Sequence, residues 1–141
     1  MILFDTNILV YSQNKKDERY SLCQDLIKKS EKKEIDGVIS SQNLLEFTSV
    51  LINLSKLEKP RKEKDVLKPI KSFESGIFKI IYPSTQTLNF FNKFLADYKT
   101  TPRRIFDMFL VATMLSNGVN QILTYNAKDF AQFKEIKAIS P

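Results

Sequence analysis

Short apolar runs recur along the chain, separated by longer stretches whose apolar residues are spaced three or four apart. The runs are Ile2-Leu3-Phe4, Gly37-Val38-Ile39-Ser40, Phe78-Lys79-Ile80-Ile81-Tyr82 and Gln121-Ile122-Leu123-Thr124. Near-continuous apolar character over so short a span predicts strands buried on both faces, as in parallel sheets. Ile136–Ser140 alternates weakly and predicts one more strand. Between these runs the spacing is helical. Thr6–Gln13 predicts a helix with Thr6 or Asn7 as N-cap, and Tyr20–Lys33 carries Leu22, Leu26 and Ile27 among charges. Ser41 is expected to cap a helix bearing Leu44, Leu45, Val50, Leu51, Ile52 and Leu54. Lys56–Lys71 is rich in Lys and holds Pro60 and Pro69, so it reads as a loop leading into a solvated helix through Phe73, stopped by Gly76. Ser84–Tyr98 places Leu88, Phe91, Phe94 and Leu95 on one face, and Arg103–Asn117 is a further helix with Gly118 at its stop. Asn126–Phe133 reads as a short turn or helix.

Strands alternating with helices predict an α/β layered domain around a mainly parallel sheet. The chain has 141 residues, and at roughly 150 residues per domain one domain spanning 1–141 is expected. No repeat, low-complexity tract or linker divides it.

Composition narrows the chemistry. There is no His, which removes His-based acid/base catalysis and His-containing zinc sites. The single Cys, Cys23, forms no internal disulfide and no cysteine cluster. None of the 3 Gly falls in a phosphate-cradling motif. Carboxylates, Lys/Arg, Tyr and hydroxyls remain. The net charge of +6 favours a polyanionic partner, nucleic acid above all, or simply serves solubility. No apolar stretch approaches the roughly 18–20 residues of a membrane span. No secretory signal is visible at the start, so a cytoplasmic location is expected.

Four acids stand where open parallel sheets build sites, beyond the carboxyl ends of strands. Asp5 follows the first strand and reads either as a helix N-cap or as a site carboxylate. Asp107 heads an apolar stripe of Leu110, Val111, Met114 and Leu115. Its charge calls for compensation by Arg103 or Arg104, by a helix dipole, or by a metal ion. Glu46 lies in the helix after the second strand, and taken alone it reads as solvated. Asp129 follows the fourth strand, with an ordinary Asx turn as the alternative. If the strands are parallel and adjacent, all four acids converge. Clustered carboxylates repel unless a hard cation neutralises them, and all-oxygen ligation suits Mg²⁺ or Mn²⁺.

Read together, these segments make the sequence one that resembles the PIN-domain nucleases, and within them the VapC-type toxins of prokaryotic toxin–antitoxin pairs. Ile2–Leu9 is similar to the family's opening strand with its D-T-N motif, here Asp5-Thr6-Asn7. Val38–Phe47 is similar to its strand-to-helix segment with the second acid, and Ile105–Thr113 to its third-acid helix. Leu123–Phe130 is similar to its closing T-x-N-x-x-D-F motif. The resemblance implies a three-layer α/β/α domain with a short sheet of about five strands. It implies a metal-dependent endoribonuclease acting on tRNA or other structured RNA, with a small antitoxin as partner and a homodimer as assembly. It implies Asp5, Glu46 and Asp107 as catalytic metal ligands. Many members carry T-x-D where this chain has Asn126, so either Asp129 or Asn126, through a water, completes the set. Thr6, Asn7, Thr124 and Asn126 would orient the acids. Arg103, Arg104 and Lys128 lie beside the acids in sequence and are candidates to hold RNA phosphates, or are ordinary surface charge.

The Lys-rich run from Lys56 to Lys71 reads as a solvated helix before an RNA track. The segments Phe47–Leu57 and Phe73–Phe78 read as a dimer face, an antitoxin groove or plain core. Two other functions fit the same motifs: an RNA-processing nuclease outside toxin–antitoxin systems, and a non-catalytic RNA-binding domain. A phosphoryl-transfer domain of the haloacid-dehalogenase or receiver type fits less well, because the second acid of its D-x-D is Asn7 here.

Overall fold

The computed structural model describes residues 1–53 and 62–141. Among them five short strands pair side by side: β1 (Ile2–Phe4), β2 (Gly37–Ser40), β3 (Lys79–Ile81), β4 (Gln121–Leu123) and β5 (Lys137–Ile139). The order is β3-β2-β1-β4-β5 and every pairing is parallel. Seven helices connect or flank them: α1 (Thr6–Tyr11), α2 (Tyr20–Glu31), α3 (Ser41–Ile52), α4 (Glu63–Ser72), α5 (Thr85–Asp97), α6 (Arg104–Ser116) and α7 (Ala127–Phe130).

The alternation of side chains along each strand makes the layers. Leu3, Val38 and Ile122 join one buried cluster with Phe94 of α5 and Met108, Val111 and Met114 of α6. Their neighbours Phe4, Ile39 and Leu123 join a second, with Ile8 of α1, Ile27 of α2, Phe47 of α3 and Val66 of α4. The sheet is thus coated on both faces, giving a three-layer α/β/α architecture. That double burial explains why the strands read as apolar runs. Gly37 is fixed by the same packing: a Cβ there would strike Ser30 Oγ of α2 and crowd Phe4 and Phe78.

Several element ends differ from the sequence reading. Asp5, not Thr6 or Asn7, caps α1 by accepting the Thr6 N–H at 2.7 Å, and α1 stops at Tyr11. Ser40, not Ser41, caps α3, in a reciprocal capping box with Asn43. The helix expected through Phe73 runs from Glu63 to Ser72 and is not simply solvated, because Val66 and Pro69 are buried. It passes into a widened turn, Phe73–Ile77, in which Gly76 takes φ 110°. Leu54 and the residues Lys56–Arg61, with Pro60, lie outside the described residues. On α5 the expected apolar face is only partly covered: Phe94 is buried, whereas Leu88 and Leu95 face solvent. On α2 Cys23 and Ile27 are buried and Leu22 is exposed. Phe47, Leu51, Phe73 and Phe78 belong to the core.

Candidate active site

Strand order locates the site. β2 lies on one side of β1 and β4 on the other, so a crevice opens beyond the carboxyl ends of β1 and β4. Asp5 directly follows β1, while Thr124, Asn126 and Asp129 follow β4. Glu46 is carried by α3, which begins directly after β2, and Asp107 by the first turn of α6. Asp5, Glu46, Asp107 and Asp129 line one cleft of about 600 Å³, together with Thr6, Asn7, Asn126 and Arg103.

Asp5 is the most tightly held. Its Oδ1 accepts the Thr6 N–H, and its Oδ2 accepts the Asn7 amide at 2.7 Å and the Thr124 hydroxyl at 2.6 Å. Thr124 Oγ1 in turn accepts from Asn7 Nδ2 at 3.0 Å and from the Asn126 N–H at 2.9 Å. The ends of β1 and β4 are thereby knotted together by side chains 119 residues apart. Glu46 is held on both oxygens. The Thr6 hydroxyl donates to Oε2 at 2.8 Å and Gln42 Nε2 donates to Oε1 at 2.8 Å. Thr6 Oγ1 itself accepts from the buried Asn43 amide at 3.1 Å.

Asp107 and Asp129 are different. Among the described residues neither carboxylate accepts a hydrogen bond, and none of the four acids is in an ion pair. Negative charge therefore accumulates with only Arg103, among the described cleft residues, to offset it. Burial pushes the Asp5 carboxyl up to about 6, against the hydrogen bonds from Thr124 and Thr6, with Glu46 and Asp129 adding to the rise. Burial also pushes Asp107 up to about 6, helped by the charges of Asp129, Asp5 and Glu46 and opposed by Arg103. A fifth acid at the cleft, Asp17, shows the contrast. Arg19 clamps it through Nε and Nη2 at 2.7 Å each and holds its carboxyl below the usual range. Asp17 is thus spoken for, and the other four are not.

The donor chemistry suits a hard divalent cation: four carboxylates drawn together, with Arg103 the only cation among the described lining residues and no ion pair to it. Two acids are fixed and two are free to adjust. Among the described residues no three acidic side chains already stand in a ready ligating arrangement.

Of the basic candidates, Arg103 lines the cleft. Arg104 turns to Gln132, donating to Oε1 at 3.3 Å, and Lys128 is exposed outside the lining. Asn126 lines the cleft with an exposed side chain. Sequence reasoning gave no role to Gln42 or Asn43, whose amides brace Glu46 and Thr6. It also passed over Tyr11, Asn14 and Asp17, which extend the cleft. An amide one turn before an acid on a predicted helix was the signal available for Gln42.

A parallel sheet whose central crevice gathers unpaired acids defines an α/β protein with a hydrolase-type acidic cleft. The PIN domain family model matches residues 2–136, and the chain belongs to that family. No curated protein matches the sequence. Among solved structures, VapBC2 of Rickettsia felis bound to a promoter DNA fragment is similar over 100% of this chain and 99% of that one, with TM-score 0.71 and 20% identity. The DNA-bound VapBC of Salmonella typhimurium gives TM-score 0.69 and 18% identity over 99% and 98% of the two chains. VapC20 of Mycobacterium tuberculosis, described as a sarcin-ricin loop cleaving toxin, gives 0.66 and 13% over 96% and 98%. Among the described residues no helix is long and apolar enough to cross a membrane.

Proposed function

We propose that this protein is a Mg²⁺- or Mn²⁺-dependent endoribonuclease and the toxin of a toxin–antitoxin pair. The observation that carries the reading is the convergence of Asp5, Glu46, Asp107 and Asp129 on one cleft where, among the described residues, no ion pair neutralises them and Arg103 is the only lining cation. Asp5, Glu46 and Asp107 would hold the ion, with Asp129 as the fourth acid and Asn126 beside it. A bound divalent ion would supply Lewis-acid activation of a phosphodiester and of water. The protein's own part is orientation. Thr6, Asn7 and Thr124 fix the rotamers of Asp5 and Glu46, so these need little reordering when substrate arrives. Arg103 on the cleft wall is placed to take a substrate phosphate. The +6 net charge favours RNA approach. VapC20, similar in fold, is described as a sarcin-ricin loop cleaving toxin, and a similar structure from Klebsiella pneumoniae is described as a toxin–antitoxin complex. On this reading the partners are RNA, a small antitoxin and a second copy of the chain, in the cytoplasm.

The test is RNA cleavage by purified protein with Mg²⁺ or Mn²⁺, repeated with Asp5→Asn and Asp107→Asn. Cleavage lost in both variants and in chelator is expected; cleavage unchanged in both variants would remove the assignment. Absence of both cleavage and metal binding in the unaltered protein would favour an RNA-binding role. Growth arrest on expression, relieved by the product of an adjacent small reading frame, would establish the toxin.

A further inference from the structure

Gln42 makes two hydrogen bonds with one nitrogen. Nε2 donates to Glu46 Oε1 at 2.8 Å, one turn along α3, and to the backbone carbonyl of Phe106 at 3.0 Å, in the first turn of α6. Phe106 immediately precedes Asp107. One amide therefore ties the side chain of one acid to the backbone that carries another. Its direction is forced: a flipped amide would set Oε1 against a carboxylate and a carbonyl, both acceptors. The forced direction has a cost, because Gln42 Oε1 is buried without a hydrogen-bond partner. An apolar side chain of similar shape would avoid that cost. The energetic penalty and the double donation together point away from simple packing.

We propose that Gln42 is a positioning residue that sets the gap between Glu46 on α3 and Asp107 on α6. The proposal rests on the endoribonuclease reading for its consequence, and on the two hydrogen bonds for its geometry. The Asp107 carboxylate accepts no hydrogen bond among the described residues, so its place follows the first turn of α6. With Gln42 removed, that turn loses its tie to α3, and Glu46 keeps only the Thr6 hydroxyl.

Gln42→Met keeps length and removes both donated bonds and the orphaned acceptor. Gln42→Glu keeps shape and turns the donor into a charge facing Glu46. The test measures Mn²⁺ binding by titration calorimetry, RNA-cleavage kinetics, Tm in chelator, and hydrogen exchange of the Leu110 amide, whose α-helical partner is the Phe106 carbonyl. For Gln42→Met we expect unchanged or higher Tm, Mn²⁺ binding weakened by ~10-fold or more, and lower kcat with KM for RNA retained. Leu110 exchange should quicken even without metal. Gln42→Glu should be worse on metal binding. Unaltered Mn²⁺ affinity and kcat in Gln42→Met would overturn the proposal. So would a fall in Tm that accounts for the lost activity. Should the unaltered protein neither bind Mn²⁺ nor cut RNA, the functional reading falls by itself. Leu110 exchange then still decides the tie, quickening in its favour and staying constant against it.

Discussion

Asp107 combines an unpaired carboxylate with a partly buried setting, and its substitution separates function from stability. Asp107→Asn removes charge without breaking a hydrogen bond among the described residues. We expect RNA cleavage to fall by more than the ~10–100-fold that loss of an outer partner costs. The same variant should melt higher than the unaltered protein in chelator at neutral pH. The sign follows from linkage. Asp5 and Asp107 hold their protons up to about 6 in the folded chain, against an ordinary 3.8. Their contribution to stability is fully present below that ordinary value and is lost as pH rises through about 6. The Tm advantage of Asp107→Asn should therefore vanish near the acid end of the window and reach its full size above it. A pH-independent advantage would contradict the assignment. Metal-dependent activity should rise through the same range, since ligation requires the ionised acids. Thr124→Val tests the buried hydroxyl that lowers the Asp5 value. Its removal should move the activity midpoint to higher pH and cost about 1–3 kcal/mol of stability, read from pH–rate profiles and denaturant melts.

At the scale of elements, β2 shows what the sequence could and could not reveal. Gly37–Ser40 was legible because both faces are buried, and an apolar run records that directly. The helix cap beyond it was not. Ser40 and Ser41 are interchangeable as capping residues in sequence, and only the reciprocal bonds with Asn43 select Ser40. At Asp5 the two readings, cap and site acid, prove compatible, because Oδ1 serves the helix and Oδ2 serves Asn7 and Thr124. Helical spacing also overstated burial on α5, since periodicity marks a face without showing how far a neighbour covers it. Tight packing of α2 on β2 gives a prediction of its own. Gly37→Ala should destabilise the fold by about 1–3 kcal/mol, because the added methyl meets Ser30 and two Phe rings. A melt indistinguishable from the unaltered protein would show that α2 shifts freely there.

For the whole molecule, the four acids were legible as a set and their geometry was not. Motif order announced Asp5, Glu46, Asp107 and Asp129, but which of them are braced depends on Thr6 and Thr124 arriving from other elements and on Gln42 one turn away on α3. Arg103 reaches the cleft while Arg104 turns to Gln132, and adjacent positions on a chain cannot announce that difference. A molecule that stores like charge in one place should gain stability from a divalent ion. Mg²⁺ at a hundredfold excess over its Kd would add about 2.7 kcal/mol. We expect Tm to rise accordingly with Mg²⁺ or Mn²⁺, to return in chelator, and to rise far less in Asp107→Asn. An equal rise in the variant would place the ion elsewhere. RNA affinity should weaken steeply with added salt, as phosphate contacts require.

The side-chain knot between β1 and β4 has a consequence for synthesis. β1 is made before β4 and must wait, with one edge unpaired, for that strand and the Thr124 that follows it. Until then the carboxylate of Asp5 lacks its closest donor. On the endoribonuclease reading, a nascent chain would be inert until the segment carrying Thr124 has been translated.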